Sequence, residues 1–306
     1  MKLKKYLPII GLGIFIYILI KLDIKNIIHE LGNINYLFVL SFFMIPLFLL
    51  TQTLKWFVIA KRQNIKLPFK TAYVINLKSN FYGFITPSKI GAIIRADYLK
   101  KYSGSLAKGT SNFVLDKVLD VSSVFFLAIL FSIIFQDVLD LKIGVLILIF
   151  SLTLVITWFF INKERSKIPL RFIYRKLIPN KNKDKFKSAF NGFYEDMPKK
   201  RYFILFFILN IINWITIYFT TYLIAMSLGI DLNFIHFLAI LPIGTIVGLI
   251  PISINGLGTR EATFIKLFGL FNIEAAKVFT MSLLSLFVTG ILPAGIMALW
   301  ILFKKK

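Results

Sequence analysis

The chain has 306 residues, 58% of them hydrophobic, against roughly 45–50% in soluble domains, and it has no cysteine. This composition excludes disulfides, thiol catalysis and cysteine-based metal centres, and it places the chain among integral membrane proteins. Lys and Arg outnumber Asp and Glu by 37 to 14, a net charge of +23; in so apolar a chain this points to positive-inside loops and anionic headgroups rather than to nucleic acid.

In chain order, apolar blocks run at about 6–22, 36–60, 68–86, 111–135, 142–162, 201–228, 232–250 and 277–303. Six of them read as full crossings, a crossing needing about 20 apolar residues. Block 6–22 follows basic residues, but no A-x-A-like cleavage site comes after it, so it reads as the first crossing rather than a leader. Blocks 68–86 and 232–250 differ. Each runs into a stretch broken by Pro and Gly, FITPSKIGAIIRAD and LIPISINGLGTREATF, and then into a shorter helix-like stretch.

Charge sets the orientation. The N-terminus, residues 61–70 and 100–108, and the tail are basic, and 163–201 carries 13 Lys and Arg against 4 Asp and Glu. These segments are expected in the cytoplasm, with 23–35, 136–142, Asp231 and 271–276 outside. The segment 68–100 then enters and leaves from the cytoplasmic face, and 232–270 from the outer face. The two histidines, His29 and His236, fall at outer boundaries and read as interfacial polar residues. In the basic loop 163–200, Phe186, Phe190, Phe193 and Tyr194 recur at helical spacing among lysines, the pattern of an interfacial amphipathic helix.

The two breaks resemble one another. Each has a proline, then a glycine, then G-x-x-x-R: Pro87, Gly91 and Arg95 in one, Pro251, Gly256 and Arg260 in the other, with Asp97 and Glu261 close behind. Leu106-Ala107-Lys108 opens the next span in the first half, and Ala275-Ala276-Lys277 does so in the second. With opposite entry faces, this is the pattern of an inverted-topology repeat. The expected architecture is an all-α integral membrane protein with six full spans plus two re-entrant helical hairpins. It forms one membrane domain over 1–306. The first half is 5–162 with hairpin 68–100, and the second is 201–303 with hairpin 232–270.

Irregular backbone at membrane depth must be buried in protein or line a polar cavity. Pro87 and Pro251 stop helices, while Gly91, Gly256 and Gly258 turn the chain and act as hinges. Asn80, Ser88, Asn255 and Thr259 supply polar groups for a substrate or for freed backbone. New half-helices starting near 89 and 257 would offer anion-binding N-termini, each with an arginine suited to phosphate, Arg95 or Arg260. Intramembrane carboxylates are functional candidates by default. Asp97, Asp116, Asp120 and Glu261, with Lys117, are gating or ion-pair candidates, Asp116 and Asp120 lying one turn apart on one face. The same two aspartates could hold Mg²⁺ for an intramembrane lipid transferase; other catalytic motifs and a resident cofactor are not expected.

At these residues the chain resembles the lysylphosphatidylglycerol synthase transmembrane, or flippase-like, family. The likeness lies in Asn80, Pro87, Gly91 and Arg95, in Asp116-Lys117-Val118-Leu119-Asp120, and in Pro251-Ile-Ser-Ile-Asn255-Gly256-Leu257-Gly258-Thr259-Arg260-Glu261. It departs from the family's pattern in Asp-Lys for Glu-Arg, and in Ile254 and Asn255 for a proline and a glycine. The resemblance implies a multi-pass protein of the cell membrane, both termini cytoplasmic, that translocates an anionic phospholipid or a polyprenyl-phosphate-linked glycolipid between leaflets. It leaves open a non-transporting partner of a glycosyltransferase or lipid-modifying enzyme, and leaves oligomerisation open too. The soluble aminoacyl-transferase domain of larger relatives is not expected here.

Overall fold

The computed structural model describes residues 7–139, 143–176, 179–180, 183–250, 253 and 256–304. Pro251 and Asn255 lie outside the described residues, as do the side chains of Pro87 and Ser88. All secondary structure among the described residues is helical.

The first half contains α1 (Leu7–Leu22), α2 (Ile24–Gly32), α3 (Leu37–Arg62) and α4 (Phe69–Phe84). A 3₁₀ segment, Pro87–Ile93, leads into α5 (Ile94–Ser103); then come α6 (Leu106–Ile134), the single turn α7 (Gln136–Leu139) and α8 (Ile143–Phe160). The basic region forms α9 (Lys163–Lys176) and α10 (Lys183–Tyr194). The second half has α11 (Tyr202–Ser227), α12 (Phe234–Leu249), α13 (Thr259–Gly269), α14 (Ala275–Leu286) and α15 (Leu292–Lys304), the last two joined by a π-helical segment, Phe287–Ile291.

Among the described residues, four helices are long and apolar enough to cross a membrane: α3, α6, α11 and the α14–α15 run, Ala275–Ile301. Counting α8 with the start of α9, bent by 114°, makes five. The chain is thus a multi-pass membrane protein. The described part of α1 has 16 residues, about 24 Å at 1.5 Å per residue, which is short of a full crossing. Helix extends into 24–32, which reads as a loop in the sequence, and into the basic segment, where the aromatic repeat predicts a helix but α9 is not expected. Residues 24–32 form α2, which buries Ile27 against Ile18 and Phe279. The basic loop forms α9 and α10, where Phe186, Phe190, Phe193 and Tyr194 are all half-buried while Lys185 and Lys187 stay exposed.

Local chemistry explains the breaks. After α4, the Thr86 hydroxyl donates to the Tyr82 carbonyl at 2.9 Å and accepts from the Gly91 N–H at 2.8 Å, closing the turn. Gly104, at φ 70°, ends α5, and Ser105 Oγ accepts from Lys108 N at the start of α6. In the second break Gly256 and Gly258 have φ of 79° and 83°. A Cβ on Gly258 would also overlap the Gly11 carbonyl, because α1 packs against this turn.

Pairing across the bundle is reciprocal. Contacts Thr51–Asn213, Lys55–Asn210 and Arg62–Tyr202 run in opposite sequence order, so α3 and α11 are antiparallel. Helix α6 packs on α12, and α15 packs on α4. At one end of the bundle Phe69 meets Phe57, and Lys108 and Asn64 bind Asp196; α4 starts and α5 finishes at this end. At the opposite end Phe135 of the α6 terminus meets His236 near the start of α12 and Phe271 just past α13. The lengths also match in order: 26, 16, 10 and 29 residues for α3, α4, α5 and α6, and 26, 16, 11 and 27 for α11, α12, α13 and α14–α15. Apolar side chains such as Leu148, Leu152 and Val155 of α8, and Ile16 and Ile20 of α1, point outward, where lipid would cover them.

Candidate functional site

A buried charge cluster is built from three helices. Asp116 and Asp120 share one face of α6. Lys55 reaches them from α3, its Nζ 2.6 Å from Asp120 Oδ1, and it also donates to Asn210 Oδ1 of α11 at 2.9 Å. Asp116 Oδ1 lies 3.1 Å from the same ammonium, a charge contact without hydrogen-bond alignment. Arg95 of α5 donates to Asp116 Oδ2 at 2.8 Å. Its guanidinium centre lies 4.9 Å from the Trp56 ring and 5.2 Å from the Phe113 ring, where the ring faces attract its charge. Arg95 reaches this far because α5 lies close on α6: a Cβ on Gly109 would overlap the Ala96 carbonyl. Lys117 joins from the open side, 3.4 Å from Asp120 Oδ2.

A polar ladder runs beside the cluster. Trp56 Nε1 donates to Asn76, and both Asn76 and Asn80 donate to Gln52 Oε1, at 3.1 and 2.6 Å. Trp214 Nε1 donates to the Asp120 carbonyl at 3.2 Å. Buried polar groups persist in apolar surroundings only when paired, and these pairs tie α3, α4, α6 and α11 together.

The second break carries its own ion pair. Glu261 is fully buried. Its Oε2 accepts from Gly258 N at 2.6 Å, and its Oε1 accepts from Ser282 Oγ at 2.8 Å and from Arg260 Nη2 at 2.9 Å. Arg260 N and Ala262 N donate back to Gly256 and Gly258. At the start of α13 the N–H groups of Gly258, Arg260 and Ala262 are thus paired from within, and the Thr259 hydroxyl donates to the Gly256 carbonyl. The helix-start anion site expected near 257 is taken up by Glu261. Arg260 itself stays 17% exposed, and its Nη1 has no partner among the described residues.

Between the two halves lies a cavity of about 240 Å³. Gln52, Asn80, Lys117, Asp120, Asn213 and Arg260 supply its polar wall; Phe48, Phe84, Leu241, Phe264 and Pro293 supply apolar surface. A second depression, between the start of α6 and α9–α10, is a wide surface groove with mixed charges, Lys163, Asp184, Lys187 and Glu195.

Residues 8–296 match the family model described as the lysylphosphatidylglycerol synthase TM region. The chain belongs to that family. It is also similar to UPF0104 membrane protein MJ1595 of Methanocaldococcus jannaschii, 28% identical over 307 residues that cover 94% of this chain and 90% of the relative.

The residues that carry the lysylphosphatidylglycerol synthase transmembrane pattern divide into two groups. Asn80, Lys117, Asp120 and Arg260 face the cavity. Arg95, Asp116, Glu261 and Thr259 are buried and hold the scaffold. The two arginines therefore do not face one another across one centre: Arg260 lines the cavity, while Arg95, 3% exposed, is committed to Asp116. Asp97 is exposed on α5, apart from the cluster. Gly91, expected as a hinge, sits so close to the Tyr82 carbonyl that a Cβ would overlap it. The carboxylates weighed as an Mg²⁺ site face an ammonium and a guanidinium instead.

Lys55, Gln52, Asn210 and Asn213 did not stand out in the sequence. A lysine inside the apolar block 36–60, and an Asn-x-x-Asn spacing inside 201–228, were the signals available.

Proposed function

We propose that this protein is a flippase-like transporter of the cell membrane that moves an anionic lipid between leaflets. The observation that carries the reading is the cavity between the halves, where Arg260 of one half and Lys117 of the other reach a space also lined by apolar side chains. Arginine and lysine suit a phosphate, and apolar surface suits the first carbons of a lipid tail. At about 240 Å³ the space is below the roughly 300–1,000 Å³ that encloses a whole drug-sized ligand. It would hold a headgroup while the tails stay in the bilayer.

In this reading α4–α5 and α12–α13 are re-entrant hairpins of an inverted repeat, with 5–162 and 201–303 as its halves. The matching helix lengths, the antiparallel α3–α11 pair and the rooting of the two hairpins at opposite ends of the bundle support it. The basic end, with α9 and α10, faces the cytoplasm, and the charge of the N- and C-terminal residues assigns both termini to that side. Rocking of one half against the other would expose the cavity to each leaflet in turn, with the Lys55–Asn210 and Trp214–Asp120 hydrogen bonds as the fixed contact between halves.

The test is leaflet exchange of fluorescent anionic lipid in proteoliposomes. Wild type should exceed protein-free vesicles, and Arg260→Ala should lose about tenfold or more of that excess, the worth of one charge-assisted contact. Unchanged exchange in the variant would remove Arg260 from the site. A wild type that moves no lipid but purifies with a glycosyltransferase or lipid-modifying enzyme would favour the partner-subunit alternative.

A further inference from the structure

The charges around the cavity do not cancel. With all groups ionised, Lys55, Arg95 and Lys117 bring three positive charges against two on Asp116 and Asp120, leaving one in excess. Arg260 and Glu261 cancel as a pair. The excess lies on the cavity side, with Lys117, whose side chain is 38% exposed there, so a single negative charge in the cavity would balance it.

The carboxylates are already used. Asp120, the acid that reaches the cavity, is held by Lys55 and Lys117. A headgroup ammonium would have to compete with both. The rest of the polar wall is neutral and mixed. Gln52 spends its carbonyl oxygen on Asn76 and Asn80, which leaves its amide N–H₂; Asn80 spends its N–H₂ on Gln52, which leaves its carbonyl oxygen. Asn213 accepts from Thr51 and keeps its N–H₂. Donors and acceptors set side by side are what a hydroxyl group, itself both, can satisfy at once.

Resting on the translocation reading above, we infer that the preferred headgroup is a singly charged phosphodiester bearing a neutral polyol, such as glycerol or a sugar. Its phosphate meets Arg260 and Lys117, and its hydroxyls meet Gln52, Asn80 and Asn213. Zwitterionic amine lipids are disfavoured because they leave the excess charge unmatched. Aminoacylated phosphoglycerol is disfavoured further, since it adds an ammonium where the acids are occupied.

The experiment compares phosphatidylglycerol, phosphatidylethanolamine, phosphatidylserine and lysylphosphatidylglycerol with identical tails. Leaflet exchange is measured in proteoliposomes, and retention by the purified protein is measured in mixed micelles by native mass spectrometry. Phosphatidylglycerol is expected to lead each of the others by roughly tenfold in both assays. Phosphatidylserine separates polyol recognition from net charge alone. Lys117→Gln makes the cluster neutral and should narrow the lead of phosphatidylglycerol over phosphatidylethanolamine, leaving only what the hydroxyl contacts supply, a change in preference that loss of structure alone would not produce. Equal handling of all four lipids, or a lead for either amine-bearing anionic or aminoacylated lipid, overturns the inference while leaving translocation standing. Absence of any exchange overturns translocation; retention then still decides the headgroup, an equal or reversed preference counting against the inference and a phosphatidylglycerol lead for it.

Discussion

Lys55 is 2% exposed and answers two carboxylates at once. Replacing it with methionine keeps its length and removes its charge, so Asp116 and Asp120 then share only Arg95 and Lys117. Breaking a buried pair from one side costs about 3–5 kcal/mol, more than the pair contributes over an apolar substitute. Lys55→Met should therefore lower thermal stability in detergent by that order. Lys55→Met with Asp120→Asn should recover much of the loss, because the Arg95–Asp116 pair is then left balanced; strictly additive losses would contradict the coupling. Outside the membrane-spanning helices, hydrogen bonds from Lys108, and next from Asn64, hold the Asp196 carboxyl below the usual aspartate range. A carboxyl held low favours the docked loop above its ordinary pKa, and the benefit fades as pH falls through the lowered value. Hydrogen exchange of residues 195–199, normalised for intrinsic rate, should lose protection once pH drops below about 3.9 in wild type. Asp196→Asn should show weak protection already at neutral pH. Protection independent of both pH and Asp196 would show that other contacts hold the loop.

At the scale of elements, the turn before α13 depends on Gly258 for two reasons, its φ of 83° and its contact with the Gly11 carbonyl. A backbone at φ 83° and ψ −53° is sparsely populated and costs an L-residue about 1–3 kcal/mol, and the overlap adds displacement of α1. Gly258→Ala should push α1 from α13–α14. The chain has no cysteine, so disulfide trapping between Phe15→Cys and Phe279→Cys, whose rings lie 5.4 Å apart, reads this directly. Trapping should be efficient with Gly258 and fall sharply with alanine; equal trapping would mean the turn tolerates a side chain. These breaks were legible in the sequence because proline and φ-positive glycine act locally, so blocks 68–86 and 232–250 end within a few residues of α4 and α12. Amphipathic α10 was legible from its aromatic spacing for the same reason. Lys55 was not, because one charge does not interrupt a 26-residue apolar helix, and its partners lie 61 and 65 residues onward (116 − 55 and 120 − 55). The separation of Arg95 from Arg260 was likewise hidden. Similar local motifs at two breaks do not say that one arginine will be committed to a buried aspartate while the other opens to a cavity.

For the whole molecule, the arrangement of the two halves predicts which surfaces share a side of the membrane. Single cysteines at exposed Lys101 and Asn191 should react with an impermeant reagent from one side, and one at exposed Glu274 from the other. Labelling of all three from one side would break the opposed-hairpin arrangement. The central claim is that an anionic headgroup enters the cavity between the halves. It is tested most directly by photocrosslinking a headgroup-labelled anionic lipid to the protein in intact membranes and mapping the adducts by mass spectrometry. The account predicts adducts on the segments around Asn80, Lys117 and Arg260, lost when Arg260 is replaced by alanine. Adducts confined to the outward apolar faces of α1 and α8, unaffected by that replacement, would contradict it.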